Sequence, residues 1–450
     1  MPLKLILFLV SFVAACGLTL YMPLVGVVGY MMHYQIYPER QWWGEEAAHL
    51  GIRYSFTLAL LTAIAAAIHF RRLRHGRAVM KTQEWLLVAF VALVWLSTLW
   101  GVAGAQDASP TGQDPPEVKL TKVLIFVLML THIVTTRQAL NAVMWAFVVG
   151  ALWLGHDAYT AGPVFFRGGR LDAIGGPDFS DSNAFGCYLA TCLPIIGAQF
   201  LRSRWIGRVI CIVAGVLAVN AIVLTRSRGA MLALAGGMLI ALLAAPKGKR
   251  WIILAGIIVF AIGAYSLTDP GFWQRAETIA PTEGQWEGSA QGRMDIWRAA
   301  LDMILDHPLG VGTRGFLEFI GQYDPARAHR DAHNTFILCL SELGFQGMAV
   351  FLLLLIVAVA TLRSIYRRSR SLPKAQADDF AILHWAFAIS LGILVVGGLT
   401  VSLLYVEAVY WFLALPVCLE RCLENLQYAQ DKAPERARGV PSALAETQKA

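Results

Sequence analysis

Twelve apolar runs, near residues 4–31, 52–70, 83–101, 119–135, 138–154, 183–200, 207–224, 229–246, 250–268, 334–362, 380–398 and 403–419, constrain this chain more than any motif. Each approaches or meets the roughly 17 to 25 residues that carry a helix across a hydrocarbon core. No water is present there to satisfy a free backbone N–H or C=O, so runs of this length specify helices packed on helices. Composition agrees, with 57% of the 450 residues hydrophobic and only 15% charged. The expected fold is an all-α polytopic membrane protein of about 12 transmembrane helices. The expected organisation is helices 1–9 over residues 1–268, a large loop over 269–333, helices 10–12 over 334–419 and a tail over 420–450. The first run starts Met-Pro-Leu-Lys, lacks an A-x-A-like cleavage site and continues past Pro23, so it reads as a retained helix that Pro23 can break.

A formal net charge of +7 raises nucleic acid as a partner, but the basic residues sit in short clusters between apolar runs, where they act as topology determinants. Those clusters are Arg71 to Lys81, Arg202 to Arg208, Lys247 to Arg250 and Arg363 to Lys374, all on one face, which the positive-inside rule makes cytoplasmic. The opposite face holds the loops at 33–51, 102–118, 155–182 and 269–333. Within 269–332 six arginines face ten acids, so these arginines do not serve topology. The seven cysteines form no CxxC or Cys/His cluster, which argues against a disulfide framework and a zinc site.

Three features on the outer face have the residue types for chemistry. At the junction of two spans stands Leu-Thr-Arg226-Ser-Arg228-Gly. Arginines at an apolar helix end either snorkel to headgroups or face a cavity. Two residues on one helix are about 200° apart, so at most one of this pair points inward, and Arg228 is favoured. Next, Gly292-Arg293-Met-Asp-Ile-Trp297 opens an amphipathic helix in which Ile296, Trp297, Ala300, Leu301 and Ile304 recur at helical spacing. Arg293 falls on its expected first turn, and His307-Pro308 ends it. The alternative is an interfacial strut with solvated charges. The glycine turn at Leu309-Gly-Val-Gly-Thr-Arg314 has backbone amides that could approach an anion. Last, His333-Asn334 lies where the polar loop meets a long span. A near-neutral imidazole there can take a proton from a hydroxyl, or be structural, and Asn334 can be a helix cap. Glu342, nine residues on, lies on the other side of the helix and is expected to bond a neighbouring span.

The Arg-Ser-Arg-Gly junction, Gly-Arg293-x-x-x-Trp297, Asp-His-Pro-Leu-Gly-Val-Gly and His333-Asn334 followed by Glu342-x-Gly344 together resemble the bacterial O-antigen ligase and O-antigen polymerase superfamily. The runs Glu287 to Arg293 and Gly175 to Asn183 further resemble its O-glycosylation ligase branch, of the kind associated with exosortase systems. The resemblance implies a GT-C-like membrane glycosyltransferase of the inner membrane, with a large, partly helical periplasmic loop and no cofactor. Its donor would be a glycan on undecaprenyl diphosphate held in the lipid bilayer. Its acceptor would be a hydroxyl on lipid A core, a protein or a glycan end. Matched position by position, the family's essential arginines fall on Arg228 and Arg293 and its essential histidine on His333.

Physical chemistry supports those positions, since the guanidinium fork suits phosphate oxygens. Arg226, Arg314, Trp297 and Asn334 are expected to assist substrate binding, and Trp273, Trp286 and Tyr323 either stack on sugars or anchor the loop at the interface. No metal is expected. Asp178-Phe-Ser-Asp181 is the nearest thing to a cation site, unless Asp181 or Ser182 caps the next helix. The non-enzymatic alternative is a lipid-linked glycan transporter or flippase, for which charges would line a path through the bundle.

Overall fold

The computed structural model describes residues 3–69, 79–101, 114–179, 181–244, 250–266, 268 and 288–438. Apart from a two-residue β-hairpin, regular structure among them is helical. The N-terminal run is two helices, α1 (Leu3–Tyr21) and α2 (Pro23–Ile36), the second opening with proline at its first turn. They double back as an antiparallel hairpin. A Cβ on Gly29 would stand 3.9 Å from that of Ala15, and one on Gly26 would stand 2.6 Å from Cγ2 of Thr19 and 2.0 Å from Oγ1 of Thr62. Small residues let the two helices and α4 (Tyr54–Ile68) approach closely. The expected single first span is thus a helical pair, so the Leu3 end of α1 lies beside the loop after α2, where Leu5, Trp43, Ala47 and Tyr54 form a small cluster.

After the short α3 (Glu45–His49) and α4 come α5 (Thr82–Trp100), α6 (Pro116–Ile133) and α7 (Arg137–Tyr159). The hairpin β1 (Phe166–Arg167) and β2 (Arg170–Leu171) precedes α8 (Ser182–Arg202), α9 (Trp205–Thr225), α10 (Arg228–Ala244) and α11 (Arg250–Tyr265). The polar segment holds α12 (Gly288–Asp306) and α13 (Gly315–Tyr323), and the chain closes with α14 (Thr335–Ser369), α15 (Lys374–Gly398) and α16 (Glu407–Arg438), the last continuing well past residue 420. Among the described residues seven helices are long and apolar enough to cross a membrane: α1, α5, α7, α8, α9, α14 and α15. α4 and α10 are apolar but shorter, so the count of about twelve stands as an expectation. α8 is the hub, with 72% of its apolar window buried.

The two ends of the bundle differ in chemistry. One end is tied by compensated basic residues: Arg137 and Arg202 grip Asp379 at 2.5 and 2.6 Å, Arg421 reaches Glu84 at 2.7 Å, and Lys81 reaches Glu424 at 2.5 Å. At the opposite end Asp178 staples three elements, accepting from the Tyr34 hydroxyl at 2.7 Å, the Glu407 amide at 2.9 Å and the Lys119 ammonium. Each ion is paired because a lone charge at such depth is costly.

Candidate active site

The polar segment is fastened to the bundle by backbone. Gly344 breaks the register of α14 with φ +66° and ψ −170°, a conformation essentially restricted to glycine. Phe345 N–H then donates to Pro308 O at 3.1 Å, and the freed carbonyls of Ser341 and Glu342 accept from Val311 and Gly312 at 2.9 Å each. The glycine turn is therefore not an anion cradle, because these amides are spent on the notch in α14. Gly310 shares the fit: a Cβ there would stand 2.4 Å from Glu342 O. Glu342 is buried, and its carboxylate accepts from Tyr405 Oη at 2.6 Å and Phe316 N at 3.4 Å. Its partners come from the α15–α16 connection and from α13, where a neighbouring span was expected.

Above this joint lies a cavity of about 570 Å³. Arg293 and Ile296 of α12, Arg170 and Asp172 of the hairpin region, the α8 N-terminus at Asp181 to Asn183, and Arg327, Arg330, Asp331 and His333 line it. α12 begins at Gly288, so Arg293 stands on its second turn and not its first. The buried face is Ile296, Ala299, Ala300, Met303 and Ile304, while Leu301, expected inside, is 54% exposed. Trp297 lines no part of the cavity; its indole N–H donates to Ala332 O at 2.8 Å, holding the residue before His333. Asn334 is buried, with its side chain accepting from the amides of Phe336 and Ile337 and donating to Leu399 O, so it caps α14. Trp273 and Trp286 lie outside the described residues, and Tyr323 donates to Asp306 at 2.9 Å.

The Arg226–Arg228 pair does not share a helix. Arg226 ends α9 in the left-handed region at φ 45°, Ser227 lies between the helices, and Arg228 opens α10, so the 200° argument does not apply. A Cβ on Gly169 would stand 2.8 Å from the Arg226 guanidinium, placing that group against the hairpin turn. Arg228 is not among the residues that line the cavity, and its charge bears on Arg293. Burial first, then the Arg228 guanidinium and more weakly that of Arg170, hold the Arg293 pKa below its ordinary value, while Asp181 and Asp331 oppose the shift. Arg293 is half-buried, and among the described residues it has neither a hydrogen-bonding partner nor an ion-pair partner. Arg314 is elsewhere, donating to Asp114 O at 3.2 Å.

Asp181 caps α8, accepting from Asn183 N at 3.1 Å, whereas Asp178 is engaged in its staple. The two carboxylates have separate partners, and among the described residues no group of three His, Cys, Asp or Glu side chains converges to hold a metal.

Among the lining residues that escaped the sequence reading are Arg170 and Asp331. Arg170 donates to Ser182 Oγ at 2.7 Å, Asn183 Oδ1 at 3.0 Å and Thr225 O at 3.0 Å, and Ser227 Oγ donates to the same Asn183 oxygen at 2.8 Å. This clamp fixes the junction that presents Arg228. The Gly168-Gly169 doublet ahead of Arg170 is a turn signal that would have located the hairpin. Asp331 lies beside His333, whose backbone adopts φ 45°. Arg226, Arg314 and His333 are three of the six non-glycine residues at positive φ among the described residues, a strain of about 1–2 kcal/mol each that tends to persist at functional sites.

Fold and cavity together define a polytopic membrane protein with a cavity at one end of the bundle, lined by Arg293 and His333 among others. Residues 213–352 match the O-antigen ligase family model, a window that includes Arg228, Arg293 and His333 but stops short of the hairpin and the α8 cap. An O-antigen polymerase of Salmonella muenchen is 24% identical over 286 residues, 61% of this chain and 65% of the relative, so the chain spans under two thirds of that protein. These two matches support a place for the chain in the O-antigen ligase and polymerase superfamily. A solved chain from work described as "Structural coordination of polymerization and crosslinking by a peptidoglycan synthase complex" covers 76% of this chain and 95% of its own length, at 18% identity and a TM-score of 0.40.

Proposed function

We propose that the cavity transfers a glycan from an undecaprenyl-diphosphate carrier to an acceptor hydroxyl, with inversion at the anomeric carbon, without a metal, and on the periplasmic face of the inner membrane. One observation supports this above the others: Arg293 is half-buried, without an ion-pair partner among the described residues, and close enough to Arg228 to feel its charge. The repulsion that lowers the Arg293 pKa is relieved when an anion binds beside it. Diphosphate is such an anion and also a competent leaving group. Arg293 and Arg228 stabilise the negative charge that develops as the sugar C1–O bond to phosphate breaks. His333 faces the same cavity and takes the proton as the acceptor oxygen bonds to C1. Apolar surface between spans holds the polyprenyl tail.

The test is His333→Ala in cells that make the glycan. Lipid-linked glycan accumulates on the outer face and the acceptor stays bare. Transfer at the original rate would overturn the reading, and accumulation on the inner face would favour a flippase. The curated relative bears the name O-antigen polymerase, which favours a second product in which the acceptor is the end of a growing chain. Mass spectrometry of lipid and protein fractions separates the two, since a polymerase leaves a ladder of repeat lengths and a ligase a single attached glycan.

A further inference from the structure

Building on the reading of His333 as the base, we propose that Asp331 is its positioning residue and that Ser402 in turn fixes Asp331. Asp331 Oδ2 accepts from the His333 amide at 3.2 Å and lies 3.3 Å from His333 Nδ1, while its other oxygen accepts from Ser402 Oγ at 3.0 Å. The tight turn that puts His333 at φ 45° is what lets one carboxylate oxygen meet both the amide and the ring of a residue two positions on. Ser402 comes from the α15–α16 connection, so the third member of the chain belongs to a different part of the bundle from the polar segment. At 3.3 Å the contact of Asp331 with Nδ1 is not yet aligned as a hydrogen bond, and a small turn of the ring aligns it, which keeps the proton of the neutral ring on Nδ1 and leaves Nε2 as the acceptor. The acceptor O–H proton passes to Nε2, the acceptor oxygen bonds to the anomeric carbon, and the electron pair of the broken C1–O bond leaves with the diphosphate. Asp331 takes no proton; it sets the tautomer and the ring orientation.

The test uses detergent-solubilised full-length protein, with lipid-diphosphate glycan and acceptor membranes extracted from cells carrying His333→Ala. Asp331→Asn still accepts from Ser402, but its amide donates towards Nδ1 and moves the ring proton to Nε2. Transfer is expected to lose about 10- to 100-fold in kcat with KM for the donor essentially unchanged, because base catalysis as a whole contributes about 10²- to 10⁴-fold. Ser402→Ala, which leaves both Asp331 and His333 in place, is expected to lower kcat by a smaller factor in the same direction, and it serves alone if Asp331→Asn does not fold. On a His333→Ala background Asp331→Asn is expected to cost nothing further. A raised KM at unchanged kcat, or the same loss with and without His333, would make Asp331 merely structural and overturn the proposal. If His333→Ala cells accumulate no donor at all, it is the base reading that fails, and this proposal with it.

Discussion

Two arginines on one cavity wall illustrate how partners decide use. Arg170 has its guanidinium bonded to Ser182, Asn183 and Thr225, whereas Arg293 has no such bond among the described residues. Arg293→Lys keeps a charge but loses the planar fork, and it should reduce transfer by about 100-fold or more while leaving thermal unfolding unchanged. Arg170→Ala should do the reverse in part: stability falls by about 1–3 kcal/mol, because buried acceptors lose their donor, and activity falls with it. Unfolding scans beside a transfer assay distinguish the two. Since Asp181 is engaged as a cap and Asp178 as a staple, EDTA should leave the rate of transfer unchanged. Arg228, Arg293 and His333 stood out in the sequence because each is a polar residue in an apolar or amphipathic context. Asp331 and Arg170 did not, because what marks them is contact with Ser402, Asn183 and Thr225, which only the fold brings near.

At the scale of elements, the helices were legible and their joints were not. The apolar runs predicted helices that the structure contains, yet the run at 4–31 is a hairpin, because Pro23 follows a complete helix and Gly26 and Gly29 permit close doubling back. The amphipathic pattern of α12 failed at Leu301, since the buried stripe runs through Ala299 and Met303 instead. The glycine turn misled for a different reason: its amides are paired by carbonyls that α14 gives up at Gly344, a long-range exchange with no local signature. Gly344→Ala should therefore be severe. The left-handed backbone alone costs about 1–3 kcal/mol, and the new methyl would stand 2.4 Å from Leu309 C, so both yield of folded protein and melting temperature should drop. An unchanged melting temperature would show that the notch is not what holds the segment.

For the whole molecule, sidedness is the main expectation. Basic ties close one end of the bundle and the cavity occupies the other, with the α1 start beside the cavity end. Six of the seven cysteines are buried, so single added cysteines report cleanly. A membrane-impermeant maleimide applied to spheroplasts should label Leu50→Cys and Leu309→Cys, both exposed positions, and spare Ser371→Cys until the membrane is opened. Labelling of Ser371→Cys from outside would invert the topology. Within that frame α12 behaves as a beam on three supports: the Pro308–Gly312 joint, the Trp297–Ala332 hydrogen bond and the Asp295–Arg327 ion pair at 3.1 Å. Arg293 overhangs the last of these by two residues, about 3 Å. So short an overhang bends little, and if the proposed transfer holds, the spacing between arginine and histidine should stay the same for glycans of different bulk.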